Sequence, residues 1–291
     1  MNVMVQVNSE NKVVPYLKFG LIAGLIMFLY FPELRFMIHE WLNQYHYSHG
    51  FLIPLISLFI IWMKREALRA SSVQPDFKGL FIILLGISLL LIGYAGFEPF
   101  IRRYSLIITI MGLIYFLLGK QISKILLFPV GYLIFMIPMP YIFFKSMAVH
   151  LRFISTKATY AISEFLGLPI IQDGTTLCLP NATLEVVDWC TGIQSIIAVT
   201  AISVLYAYLT QRSFISKISL ILVAIPIALV GNIFRLVITV YLTYLYGQSV
   251  LKGFVHQFQG TINFLFTLFL LIIAGVIIRK IDMKLSTRKA S

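Results

Sequence analysis

A thiol, a guanidinium and an imidazole together supply what acyl transfer through a cysteine needs, and this chain sets one of each at the rim of an apolar run. Cys190 stands in Val187-Asp188-Trp189-Cys190-Thr191-Gly192-Ile193-Gln194-Ser195, where a polar segment gives way to the unbroken apolar run 196–208. A helix starting there has Asp188 or Thr191 available to cap its first free amides. With Asp188 as the cap, Cys190 falls in the first turn, where the helix dipole favours the nucleophilic thiolate. The carboxylate of Asp188 pushes the other way, and the balance between them stays open. The same spacing also fits a structural role, a small residue at a helix start bonded to Cys178.

Arg235 lies in Gly231-Asn232-Ile233-Phe234-Arg235-Leu236, inside another apolar run. Counted from Lys217 at ~1.5 Å per residue, it sits roughly 27 Å across a bilayer, near the boundary opposite Lys217. An isolated arginine there can snorkel to lipid headgroups. Asn232, one turn earlier on the same helical face, points instead to a polar site. His256 precedes the last apolar run, in Gly253-Phe254-Val255-His256-Gln257-Phe258-Gln259-Gly260. Alone it reads as a hydrogen-bonded interfacial histidine. With a thiol and a guanidinium at the same depth, the set fits thiol acyl transfer: a thiolate attacks a carbonyl, imidazole takes and returns the proton, and a fixed cation holds the oxyanion. Only convergence in space matters for such a set, not order along the chain.

The elements that must position these groups are membrane helices. Hydrophobic residues make up 59% of the chain and charged ones 12%, with mean hydropathy +0.92, which excludes an ordinary soluble domain. Long apolar runs with short polar breaks predict an all-α membrane protein of about eight spans. These are Phe19 to Phe31, Phe51 to Trp62, Leu80 to Phe97, Tyr104 to Leu118, Ile122 to Ile137, Ile193 to Leu209, Ile218 to about Tyr244, and Ile262 to Ile278. The first is read as an uncleaved anchor, because Tyr30-Phe31-Pro32-Glu33 offers no small-residue cleavage site. Between the fifth and sixth spans, residues 142–166 mix Lys145, His150, Arg152, Lys157 and Glu164 into the apolar pattern, which predicts an amphipathic helix along the membrane surface. Then Asp173-Gly174 and Pro180-Asn181 punctuate short segments rich in Ile, Thr, Leu and Val, predicting a small β-like excursion outside the lipid. The whole reads as one polytopic domain, 1–291, with a loose N-terminus at 1–14, an extracytoplasmic segment at 142–187 and a basic tail at 279–291.

Eight spans put both termini on one side. That side receives 15 of the 23 Lys and Arg and four of the 11 acids, so the positive-inside rule makes the termini cytoplasmic. The formal charge of +12 is therefore an orientation signal, and no nucleic-acid partner is expected. All five histidines and both cysteines fall at or beyond the outer surface of this topology.

Tyr47-Ser48-His49-Gly50 leading into an apolar span, Cys190-Thr191-Gly192-Ile193, Asn232 and Arg235 spaced N-x-x-R, and a late His256 resemble, in that order, the exosortase/archaeosortase family. The likeness runs from about Tyr45 to Ile278. It implies a multi-pass cysteine transpeptidase or protease of the plasma (inner) membrane with an extracytoplasmic active site. Such proteins cut the C-terminal sorting tail of secreted substrates, a short motif followed by one transmembrane helix and a basic cluster. Carried over by motif, Cys190 is the nucleophile, Arg235 the oxyanion-side cation and His256 the third member. Asn232, Tyr47, Ser48 and His49 fall on the substrate side, although Asn232 also suits orienting Arg235 and the other three also suit packing at a helix entry. No cofactor or metal is implied. The thioester would be resolved by water or by an amine, such as one on a lipid or glycan. The wording Cys190-Thr191-Gly192-Ile193-Gln194 is closer to archaeal members, whereas a histidine at 256 is closer to bacterial ones.

Two other classes compete. A metal-dependent membrane hydrolase would draw on His46-x-x-His49 with His39 or His150 and Glu40, candidates that form no recognised ligand pattern. A transporter or non-enzymatic scaffold is the other, but no acidic residue lies near the middle of any span.

Overall fold

The computed structural model describes residues 13–186, 192–247 and 254–290, with the side chains at 13–19, 21, 23, 45–46, 254–259 and 286–290 outside the description. Among the described residues, five helices are long and apolar enough to cross a membrane: Lys78–Ala95, Pro99–Met136, Ile193–Thr210, Phe214–Tyr246 and Gly260–Leu285. A shorter apolar helix covers Tyr47–Met63. The chain is thus a multi-pass, essentially all-α membrane protein. It divides into two compact units, Met1–Pro138 and Met139–Ser291.

The first unit comprises α1 (Val13–Asn43), a 3-10 turn (Tyr45–Phe51), α2 (Leu52–Met63), α3 (Arg65–Ala70), α4 (Lys78–Ala95) and α5 (Pro99–Tyr132), which runs on into a 3-10 turn at Leu133–Met136. A glycine heptad packs α4 on α5. Gly79, Gly86 and Gly93 face Phe116, Thr109 and Arg102 in turn, and a Cβ at any of the three would strike its partner. Seven-residue steps run in opposite directions along the two helices, so they lie antiparallel in close contact, held by dispersion where lipid removes a hydrophobic driving force.

Helix α5 is broken at Gly119, where φ is 83° and ψ −178°. The left-handed φ and the carbonyl oxygen of Gln74, which a Cβ would strike, both demand glycine. Ile107, Ile110 and Ile114 from before the break pack against the buried Ile122, Leu126 and Val130 after it. In a continuous helix Ile107 would lie at least ~22 Å from any of those three. The second arm therefore folds back on the first. The runs 104–118 and 122–137, expected as separate spans, are these two arms.

Helix α1 meets the first arm of α5 through polar groups. The hydroxyl of Tyr30 lies 3.0 Å from Ser105 Oγ and 2.8 Å from Thr109 Oγ1. One turn on, Glu33 is fully buried, 3.2 Å from Arg102 Nη1 and 3.6 Å from Arg103 Nε, while Arg103 Nη1 donates to Glu40 Oε2 at 2.7 Å. Breaking a buried pair strands the surviving charge. Glu33→Ala is expected to cost about 3–5 kcal/mol and sharply lower the unfolding midpoint in detergent; an unchanged midpoint would show that water already solvates these arginines.

The second unit comprises α6 (Tyr141–Phe165), a sheet of β1 (Ile171–Asp173), β2 (Thr176–Leu179) and β3 (Ala182–Glu185), then α7 (Ile193–Thr210), α8 (Phe214–Tyr246) and α9 (Phe254–Ala290). The sheet is antiparallel in the order β1-β2-β3, with two-residue connections at Gly174-Thr175 and Pro180-Asn181. The second is the turn signal read in the sequence, and the first falls one residue after the Asp173-Gly174 signal. Period-2 alternation buries Leu177, Leu179 and Leu184 with Leu168, Ile170 and Val186 against Leu236 and Val240 of α8. Asn181 Nδ2 pins the second connection to the carbonyl oxygen of Tyr244 at 2.8 Å.

Helix α6 buries a stripe of small residues, Ala148, Ser155, Thr159 and Ser163, and packs on α8. Lys145 and Lys157 are exposed. Helix α9 runs antiparallel to α8: Leu271 shares a core cluster with Leu220, Thr267 meets Gly231, and Phe266 stacks on Phe234 at 4.6 Å. At the other end of this bundle Gln211 Nε2 donates to the Gly275 carbonyl at 3.0 Å, and the Tyr206 ring fills the space a Cβ at Gly275 would take.

Candidate active site

The site grows from α8. Ser213 caps it, its Oγ accepting from the Ser216 amide at 3.1 Å, and an apolar run carries the helix to Gly231-Asn232. Asn232 is completely buried. A buried carboxamide has to be hydrogen-bonded. It donates from Nδ2 to Ser155 Oγ of α6 at 3.4 Å, and its Oδ1 accepts from Arg235 Nη2 at 3.1 Å. The guanidinium thus folds back one turn onto its own helix instead of reaching outward to headgroups. The carbonyl of Arg235 is in turn capped by Thr239 Oγ1 at 2.8 Å.

Gly192 opens α7 in the left-handed conformation, φ 80° and ψ 0°. A Cβ at this glycine would lie 2.6 Å from Asn232 Cγ. Both the backbone torsion and the space therefore require glycine. On the adjoining face of α8, Gly231 leaves room for Thr267 and for Asn263, whose Oδ1 lies 3.4 Å from the position a Cβ would take. Ser155, Gly192, Gly231 with Asn232, and Asn263 make one polar layer across four helices.

Two features of this layer bear on chemistry. Among the described residues no carboxylate pairs with Arg235, and its guanidinium is held by the neutral amide of Asn232. The Oδ1 of Asn263 in this layer, and the Oγ1 of Thr159 and Oγ of Ser163 about one and two turns beyond Ser155 on α6, are buried without a hydrogen-bond partner.

Arg235 and Asn232, read from the sequence as a pair, are brought together. Cys190 lies outside the described residues, as does the side chain of His256, although α9 carries position 256. Tyr47, Ser48 and His49 belong to the first unit, in the 3-10 turn Tyr45–Phe51, where Tyr47 is buried, Ser48 exposed and His49 half-buried. Gly50 of the same motif has a packing reason. The Trp41 indole occupies the space of its absent side chain and donates to the Met136 carbonyl at 2.9 Å.

For a metal centre, Glu40 is taken by Arg103, and His150 Nδ1 donates to the Ser146 carbonyl at 2.8 Å. Among the described residues no three of His, Cys, Asp and Glu come together. Cys178 on β2 is a free thiol. Sequence reasoning missed Ser155 and Asn263. Their signals were present, a small polar residue every four positions on α6 and an amide inside the last apolar run.

Residues 41–273 match the transmembrane exosortase family. No curated protein and no solved structure matches the chain.

Proposed function

We propose that this chain, which belongs to the transmembrane exosortase family, cuts the C-terminal sorting tail of secreted proteins through a thioester on Cys190. The substrates are proteins ending in a short motif, one transmembrane helix and a basic cluster. The tail enters the bilayer beside the enzyme, and its motif rests at the extracytoplasmic rim. The thiolate of Cys190 attacks the scissile carbonyl, and Arg235 stabilises the oxyanion that forms. The C–N bond breaks, His256 delivers the thiol proton to the departing amine, and the new C-terminus stays on sulfur. Water or an amine, such as one on a lipid or glycan, then attacks the thioester and returns the thiol.

The observation that carries this reading is the contact between Gly192 and Asn232, with Arg235 held on the same amide. Cys190 is two residues before that glycine, and two residues of chain span at most ~7 Å. Position 256 precedes Asn263 by seven residues, two turns or ~10.5 Å along one face of α9. Arg235 lies ~6 Å beyond Gly231 in the same sense along the antiparallel α8. The chain crosses the membrane in about eight spans, with cytoplasmic termini. Lys145 and Lys157 of α6 face lipid phosphates.

The test is conversion of a tagged reporter, a secreted domain fused to such a tail, in membranes carrying wild-type chain or Cys190→Ala. Processing by both would end the proposal. Gly192→Ala puts a methyl against Asn232 and strains the start of α7. It is expected to insert normally yet lower processing about a hundredfold, as small misplacements in an active site do. Near wild-type turnover would disconnect this glycine from the site.

A further inference from the structure

Beyond the cysteine chemistry, we infer that the outer edge of β3 is the docking strand for the substrate, whose extended motif adds to the sheet as a fourth strand beside Thr183 and Glu185. This rests on the reading of Cys190 as the nucleophile, and extends it to how the peptide is recognised. The pairing is fixed by the hairpins. A two-residue connection makes the flanking residues a hydrogen-bonded pair, here Leu179 with Ala182. Alternation then makes Leu177 with Leu184 the next such pair, and the Val186 amide on the Thr175 carbonyl at 3.1 Å continues the series. Thr183 and Glu185, opposite Cys178 and Thr176, therefore turn their amides and carbonyls away from β2.

Those four groups form an open ladder. Neither residue makes any hydrogen bond outside the sheet, and both are exposed, while Leu184 between them is buried against α8. An exposed edge of this kind accepts an extended peptide through main-chain bonds. The peptide is favoured as occupant because of where the strand leads. Glu185 is five residues before Cys190, at most ~17 Å of chain, so a segment lying along β3 has its next residues within reach of the thiol. The motif that precedes a substrate's transmembrane helix is such a segment, unfolded and outside the lipid. Main-chain docking also fits an enzyme that must accept many secreted domains by one short tail.

Proline separates this from a packing role, because it removes an amide without touching the β2 ladder when placed at an outward position. Thr183→Pro and Glu185→Pro are each expected to slow reporter processing about tenfold, the effect of one lost bond and a stranded substrate carbonyl. Gln172→Pro makes the same change at the outward position of β1, on the opposite edge, and is expected to process normally. Prolines at all three positions behaving like wild type would overturn the inference. So would a changed oligomeric state in Thr183→Pro with processing intact, which would assign the edge to a second copy of this chain. A folding defect is bypassed by a photo-crosslinking residue at 185 or 172 in Cys190→Ala, which is expected to capture the intact reporter from 185 only. Capture from 172 alone, or from neither, contradicts docking at β3. If wild-type chain does not process the reporter at all, the cysteine chemistry fails instead.

Discussion

Cys190→Ala is expected to abolish reporter processing, by at least about a thousandfold, while the protein accumulates in the membrane as wild type does. Removing the attacking atom leaves only binding and oxyanion stabilisation, and no covalent route. Cys190→Ser should be nearly as inert, because a hydroxyl in place of the thiol is far less readily ionised. Cys178→Ser is the matched control. Cys178 sits on β2 as a free thiol, opposite Thr183 and away from the buried face of the sheet. Its loss is expected to leave processing unchanged. A structural disulfide between the two cysteines predicts the reverse pattern, with both variants losing accumulation together.

Arg235→Ala is expected to lower processing by about a hundred- to a thousandfold, the range for loss of one oxyanion donor. The geometry sharpens this beyond charge. The guanidinium is fixed by the side-chain Oδ1 of Asn232 at 3.1 Å, and Asn232 in turn donates to Ser155 Oγ. A lysine keeps the charge but cannot hold the amide and present a second donor in one plane, so Arg235→Lys should recover only part of the rate. If the arginine served only as a lipid anchor, lysine would replace it fully and alanine would lower accumulation rather than turnover per molecule. Measuring both quantities on the same membranes separates the two roles.

The parts of this architecture legible in the sequence are those set by local pattern. Asp173-Gly174 and Pro180-Asn181 announced the sheet because each turn closes a two-residue hairpin. Asn232 and Arg235 could be paired because one helical turn separates them on a single element. What local pattern cannot show is the partner across the bundle. Gly79, Gly86 and Gly93 form a heptad in the sequence, but that Phe116, Thr109 and Arg102 answer it at the same interval emerges only from the fold. The buried Glu33 likewise pairs with Arg102 and Arg103 some seventy residues away. The polar break at Gly119-Lys120-Gln121 separates two runs in the sequence, but that the turn rests on Gln74, whose carbonyl oxygen closes on Gly119, emerges only from the fold. The stripe on α6 shows why charged residues misdirect attention there. Lys145 and Lys157 draw the eye, yet the buried face is Ser155, Thr159 and Ser163.

The central claim is a covalent intermediate on one sulfur, and mass spectrometry of the acid-quenched chain after brief exposure to reporter measures it directly. The account predicts a mass increase equal to the reporter's N-terminal product, on the peptide containing Cys190, discharged by hydroxylamine. Single-turnover formation of product with Cys190 unmodified throughout, or an adduct on any other residue, would contradict it.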